Sequence, residues 1–377
     1  MSYTEDWRDA WTKRATNVIN VNLINGRGIG RLNKEYQTLD LIVILHSATS
    51  DSNIWLAKLL KNLKTRPSCK IVIFVGNEFS SPWLSTETRI ENLKNMSPDL
   101  IVTQLEIGTG KWLYEKTGAQ VISVPPGIPN YEYSSVIKKS IDLSYRGFIY
   151  PWYLLDDDRN STINSIIKEA TELRWHTDFS QSSRLGRNDW MALLSNSKLT
   201  MSSEAGSKFV FRTDEVWDEL LEYMKIRKYK FTNISNDASG MTLLRLFPTP
   251  IKKLIRKSLS RVGVSQGSLY VPSSEEEERL LNLIKPNNFE FKVGKCISSR
   301  HLDAIACRTW QILAPGKYNG ILQEGKHFSW WDSSNPSGSL ASAMNNQFEG
   351  RAEIAYQELI KDNSYDARVT GILAALE

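Results

Sequence analysis

The sequence reads as an α/β protein built from two consecutive Rossmann-like domains that face each other across a cleft. Three observations predict this. Short apolar runs alternate with amphipathic stretches, as in a parallel sheet with helical crossovers. Several of those runs, such as LDLIVILH at 39–46 and KIVIFV at 70–75, are continuously apolar, as in strands buried on both faces. The alternation breaks at Pro125-Pro126-Gly127-Ile128-Pro129, a cluster that stops regular structure and serves as a linker. A chain of 377 residues has the length of about two domains.

The first domain spans 1–128. Its strands are predicted at 18–24, 39–46, 70–75, 100–103 and 120–124. Its helices are predicted at 53–63, where Ile54, Leu56, Leu59, Leu60 and Leu63 fall at helical spacing, and at 86–96 and 110–117. Gly26-Arg27-Gly28-Ile29-Gly30 resembles a dinucleotide fingerprint, but Arg31 stands where the last glycine belongs and no clear helix follows, so it reads as a loop. The second domain spans 129–340, with strands at 143–149, 198–202, 289–293 and 310–314 and helices at 160–173, 189–194 and 300–307. Residues 207–288 form an insertion with helices at 215–225 and 275–283, and 341–377 a helical tail. Asp156-Asp157-Asp158 contains a formal D-x-D, but it precedes an amphipathic helix and reads as an acidic helix start rather than a metal motif.

Bulk properties narrow the classes. With 41% hydrophobic and 24% charged residues, the composition is that of a soluble globular protein. No apolar run is long enough to span a membrane, and MSYTEDWRDAWTKR lacks the apolar centre of a signal peptide. Cys69, Cys296 and Cys307 cannot form a disulfide framework and lack metal-ligand spacing, so a cytoplasmic location and no metal are expected. A net charge of +5 admits an anionic partner but is too mild to suggest nucleic acid.

The segment from Cys296 to Leu322 carries the clearest chemistry. Ser298 and Ser299 can cap a helix beginning near Arg300. A helix N-terminus accepts phosphate, and Arg300 adds a fork of donors that matches phosphate oxygens. Asp303 lies about one turn on, where a carboxylate can accept from ribose hydroxyls. The turn 315–320, which holds Tyr318, Asn319 and Gly320, lets backbone approach a ligand closely. Glu204, in the polar loop Ser202-Ser203-Glu204-Ala205-Gly206, can hydrogen-bond sugar hydroxyls, and Lys208 can neutralise phosphate. His46 and Glu78 each end a strand of the first domain. Each is a candidate general base or substrate-binding group, with a structural histidine and a polar loop as the alternatives and Glu106 as a third carboxylate.

This segment resembles the C-terminal part of bacterial group 1-type glycosyltransferases. Their pattern, roughly S-x-R-x-F-E-A-[IL]-A, then G-x-Y-N-x-I-L, then a histidine and D-x-S-N, is matched by Ser298, Arg300, Leu302, Asp303, Ala304, Ile305 and Ala306. The match continues with Gly316, Tyr318, Asn319, Gly320, Ile321, Leu322, His327, Asp332, Ser334 and Asn335. Gly147, in Tyr145-Arg146-Gly147, and SKLTMSSEAG at 197–206 match more loosely. The resemblance implies the GT-B architecture and transfer of a sugar from a nucleotide-diphosphate donor to a glycan or lipid-linked acceptor hydroxyl, in bacterial surface polysaccharide or glycoconjugate biosynthesis. The nucleotide sugar is then a co-substrate, with no separate cofactor or metal. It implies donor binding by Gly147, Lys208, Ser298, Ser299, Arg300, Asp303, Tyr318, Asn319 and Gly320. Asp303 is shorter than the family's glutamate, and Lys295 stands where the commoner enzymes carry a second one. A sugar-nucleotide epimerase of the same architecture and an inactive GT-B scaffold are the alternatives. The basic amphipathic stretch 250–261 fits the surface of an anionic membrane, which would make the protein peripheral on its inner face.

Overall fold

The computed structural model describes residues 3–23, 26–49, 56, 59, 68–81, 85–133, 138–150, 152–181, 185–226, 282, 289–345 and 348–377. The first domain is a parallel sheet of β1 (Leu41–Ile44), β2 (Lys70–Phe74), β3 (Leu100–Thr103) and β4 (Gln120–Ser123), in that order. The two central strands are apolar on both sides because both are covered. Ile71, Ile73 and Ile101 enter one core, and Val72, Phe74, Leu100 and Val102 enter the other. Helices follow the alternation: the single-turn α3 (His46–Thr49) after β1, α4 (Thr86–Met96) after β2, and α5 (Ile107–Tyr114) after β3. α4 starts where Ser85 Oγ accepts from Thr88 N at 3.0 Å, capping a free N–H.

α1 (Tyr3–Thr12) and α2 (Ile29–Glu35) precede that sheet. The strand expected at 18–24 is absent from the described residues there. The chain closes a local turn instead, with Asn22 N donating to Arg27 O and Gly26 N to Asn22 O, and no neighbouring strand is paired. α2 then follows the glycine-rich loop, where no helix was expected. Of the helix expected at 53–63, Leu56 and Leu59 are described, and both are helical and buried.

In the second domain, β5 (Ile141–Arg146), α6 (Asp157–Glu172), β6 (Thr177–Ser180), α7 (Arg187–Ser195) and β7 (Ser197–Ser202) alternate. β8 (Ala205–Phe211) follows directly, then α8 (Glu215–Ile226) and β9 (Phe291–Cys296). Here the structure departs from expectation. The strand near 289–293 does not join the main sheet but pairs antiparallel with β8 as a separate ribbon. The physical reason is its pattern: Phe291 and Val293 are exposed, whereas a strand of the main sheet must be apolar on both faces. α9 (Ser299–Ala306), β10 (Trp310–Leu313) and β11 (Ser329–Trp330) complete the parallel sheet, whose order is β11-β10-β7-β5-β6. The expected stretches 250–261 and, apart from Asn282, 275–283 lie outside the described residues.

The tail is three helices. α10 (Pro336–Ala343) and α11 (Phe348–Asn363) pack into the second core through Leu340, Ala343, Ala352, Ala355 and Leu359. α12 (Tyr365–Ala374) returns to the first domain, where Tyr365, Val369 and Ile372 share a core with Trp7 and Phe74. At the crossing, Ile128 N donates to Asn363 O at 2.7 Å and Ile128 bridges to Ser364. The result is the predicted α/β architecture of two Rossmann-like domains.

Candidate functional site

The strand order locates the site. β6 lies on one side of β5 and β7 on the other, so the chain reverses direction across the sheet at the β5/β7 pair. In open α/β sheets the crevice beyond the carboxyl ends of such a pair is where ligands bind. Here those ends are Arg146-Gly147 and Ser202-Ser203-Glu204.

Two arginines stand at this crevice. Arg159, the third residue of α6, is buried; its Nη2 lies 3.4 Å from Tyr145 Oη and its guanidinium stacks 3.8 Å from the Tyr150 ring centroid. Arg300, the second residue of α9, holds its guanidinium 5.6 Å from the Tyr145 ring centroid. Burial, and then the charge of Arg159, lowers the pKa of Arg300. Among the side chains that are described, neither guanidinium has a carboxylate within salt-bridge distance. Asp156, three residues before Arg159, is bound by Lys295 at 2.8 Å. Each arginine stands in the first turn of a helix, whose free N–H groups add partial positive charge. Two like charges on one tyrosine, with two helix ends, form an electropositive seat suited to a multivalent anion. Gly147 is required beside it because a Cβ there would lie 2.2 Å from Tyr145 Oη.

The turn after β10 is organised around Glu204. Its Oε1 accepts from Tyr318 N at 2.7 Å, and a Cβ on Gly316 would lie 2.6 Å from its Oε2. Burial raises the Glu204 pKa, opposed by the N–H groups of Tyr318 and Lys317. Glu204 is thus buried at the β7–β8 junction, not in the open polar loop expected, because β8 begins one residue later. Tyr318, Asn319 and Gly320 all have positive φ, at 49°, 54° and 70°. Their side chains serve the protein. Tyr318 is fully buried and donates its hydroxyl to Ala314 O at 2.5 Å. Asn319 accepts from Ile297 N at 2.7 Å and donates to Gln104 O of the first domain at 3.0 Å. The Tyr318 ring and the Asn319 amide are thus committed within the protein.

α9 starts as predicted, with Ser298 at the N-cap and Ser299 buried behind it. The reciprocal partner is His301, whose Nδ1 accepts from Ser298 N at 3.1 Å. Burial, and then Arg300, lowers the His301 pKa to about 3, so the ring is neutral. Neither His301 nor Arg159 was selected from the sequence. A histidine at the third position after a capping serine was the only signal for the first, and the acidic run before Arg159 masked the second.

Asp303 is not open to a ligand. It is 1% exposed, accepts from Trp190 Nε1 at 3.0 Å and lies 3.7 Å from Arg187. Arg187 also pairs at 2.9 Å with Asp6 of α1. Burial is the main reason that Asp303 and Asp6 both have pKa values raised to about 6. A carboxylate raised in the folded state contributes stability below its unfolded pKa, near 4, and loses it as pH rises through the folded value. Between pH 4 and 7, wild type should therefore lose stability relative to Asp303→Asn, measured as the difference in thermal midpoint. A constant difference would contradict the raised value.

The first-domain candidates are internal. His46 is 2% exposed, with its ring 5.1 Å from Phe74, 6.2 Å from Trp7 and 5.0 Å from Tyr3, and burial lowers its pKa to about 3. It opens α3 under the N-terminal helix instead of opening a polar loop, because Trp7 and Tyr3 cover it. Glu78 accepts from Thr103 Oγ1 at 2.5 Å, Gln104 N at 2.7 Å and Tyr114 Oη at 2.7 Å. Three donors within its own domain tie up the carboxylate, and burial still raises its pKa. Glu106 pairs at 3.5 Å with Lys317 across the domain junction. Lys208 stands on β8, half-buried. No group of three or more metal-binding side chains occurs among the described residues.

No protein-family model and no curated protein matches this sequence. Solved structures similar to it include Anabaena HepE in complex with UDP-glucose, at 9% identity over 93% of this chain and 83% of that one, with a TM-score of 0.42. Another is a UDP-forming α,α-trehalose-phosphate synthase from Burkholderia vietnamiensis, at 12% identity over 93% and 77% of the two chains, TM-score 0.38. A third is a mutant of TarM from S. aureus bound to fondaparinux, α-GlcNAc-glycerol and UDP, at 8% identity and TM-score 0.45, covering 93% of this chain and 58% of that one.

Proposed function

We propose that the protein is a glycosyltransferase that moves a sugar from a nucleotide diphosphate to a hydroxyl of a glycan or lipid-linked acceptor, in bacterial surface polysaccharide or glycoconjugate biosynthesis. The observation that carries this reading is the pair Arg159 and Arg300, without a carboxylate partner among the described side chains, at two helix N-termini beside the β5/β7 switch point. Such a pair suits a diphosphate in the ground state and, more strongly, the charge that develops on it as the glycosidic bond breaks. Guanidiniums can neutralise that charge without a metal. Glu204 fixes the turn around Tyr318 by accepting from the N–H groups of Tyr318 and Lys317. The first domain would present the acceptor, and contacts such as Asn319 with Gln104 would exclude water from the donor. No described helix is long and apolar enough to cross a membrane. The stretch 250–261 would hold the enzyme on an anionic inner surface, close to a lipid-linked acceptor.

A thermal-shift panel of UDP, GDP, ADP, TDP and CMP tests the donor site. One diphosphate should stabilise the protein by about 3 kcal/mol at a hundredfold excess over its Kd, and CMP by less. If none does, the donor reading fails. A second reading, a catalytically silent module of the same architecture, is favoured by the internal engagement of His46 and Glu78. Nucleotide binding without hydrolysis or transfer of the matching sugar nucleotide, over a range of acceptors, would select it.

A further inference from the structure

The donor-site reading leaves one contact unused, the chain of charges from Asp6 through Arg187 to Asp303. On that reading, a phosphate held by Arg159 and Arg300 would sit at the start of α9, and its nucleoside would extend along that helix. Asp303 is one turn further on, about 5 Å. The protein itself has closed this place. Arg187 Nη2 is 2.9 Å from Asp6 Oδ2, Arg187 Nη1 is 3.7 Å from Asp303 Oδ1, and Trp190 Nε1 is bonded to Asp303 at 3.0 Å. Asp6 belongs to the first domain. Its neighbour Trp7 is fully buried, with its ring 4.7 Å from Phe74 and 5.0 Å from Tyr365. Arg187 and Asp303 belong to the second. The ion pair therefore spans the two domains, and α1 is the arm that carries it.

One guanidinium serving two carboxylates is a divided contact. Arg187 Nη2 donates to Asp6 Oδ1 at 3.0 Å, but Asp6 Oδ2 and Arg187 Nη1 lack a hydrogen bond of proper geometry although both atoms are buried. Such an arrangement is easily exchanged for a better one, because the groups are already desolvated and incompletely satisfied.

We propose that Asp6 is an internal competitor for the nucleoside half of the donor site: docked on Arg187 it keeps the domains clamped and Asp303 covered, and nucleotide entry requires this pair to part. The inference rests on the donor-site reading. It assigns Arg187 and Asp303 to a nucleoside, and it makes α1 part of the gate.

The test is calorimetric titration of UDP, GDP, ADP and TDP into full-length wild type, Asp6→Asn and Asp6→Glu, with solution scattering of each protein without nucleotide. Asp6→Asn removes the charge and keeps the shape. It should bind the preferred nucleotide about tenfold more tightly, as expected when the competent state is raised from a minor to a major population, and its radius of gyration should increase. Asp6→Glu keeps the charge and should resemble wild type. Unchanged or weaker binding by a folded Asp6→Asn overturns the proposal while leaving the donor site intact, since wild type still binds. If neither protein binds any of the four, the donor reading falls and this inference falls with it. Hydrogen exchange of wild type with and without the nucleotide needs no variant. Faster exchange in the later turns of α1, whose amides are bonded within the helix, is the expected result, and added protection there overturns the competition.

Discussion

Replacing Arg159 and Arg300 together by alanine is expected to weaken nucleotide diphosphate binding by about two to four orders of magnitude. Each guanidinium would donate charge-assisted hydrogen bonds worth roughly 1.5–3 kcal/mol to phosphate. The single variants should each lose about ten- to a hundredfold, so the two losses together account for that of the double variant. Isothermal titration with the nucleotide chosen by the thermal-shift panel reads all three variants. Circular dichroism confirms that each is folded, which matters because Arg159 also stacks on Tyr150. Binding that survives the double substitution would leave this crevice without its assigned anion.

The second large effect concerns the core on which the site stands. Trp310 lies on β10, is 1% exposed, and donates from Nε1 to Ser329 Oγ at 2.9 Å, while Arg351 covers its ring at 4.0 Å. Trp310→Ala should cost about 3–5 kcal/mol, the range for truncating a buried aromatic. A cavity forms between β10 and β11, and a buried hydroxyl loses a partner. Urea denaturation, monitored by far-UV dichroism, should show the second transition moving to lower denaturant if the domains unfold separately, or the whole curve moving if they do not. A loss below about 1.5 kcal/mol would mean that the surrounding side chains collapse into the space.

Much of the fold was legible in the sequence because the signal is one of burial. β3 and α4 occupy 100–103 and 86–96 as expected, since a continuous apolar run and helical spacing leave little choice. The ribbon of β8 and β9 was not legible. Its pairing is antiparallel and long-range, and a short alternating strand looks the same whichever sheet it joins. The site was legible where one local rule governs it. Ser298 caps α9 because a serine before a helix must satisfy free N–H groups. It was hidden where side-chain direction decides. His46 ends a strand in sequence, but Trp7 and Tyr3, some forty residues earlier, cover it. Asp303 has the right place on its helix for a ribose, yet its carboxylate is committed to Trp190 and Arg187, and no local pattern announces those partners.

The return of α12 to the first domain has a mechanical consequence. The polypeptide crosses between the domains twice, near residue 128 and near residue 364, and the two crossings are bonded to each other through Ile128 and Asn363. Two segments bonded side by side constrain the domains more than a single linker does, and so hold the arginine seat and the opposing face in one register. A nick in either crossing would leave a swivel, free to close in the wrong orientation.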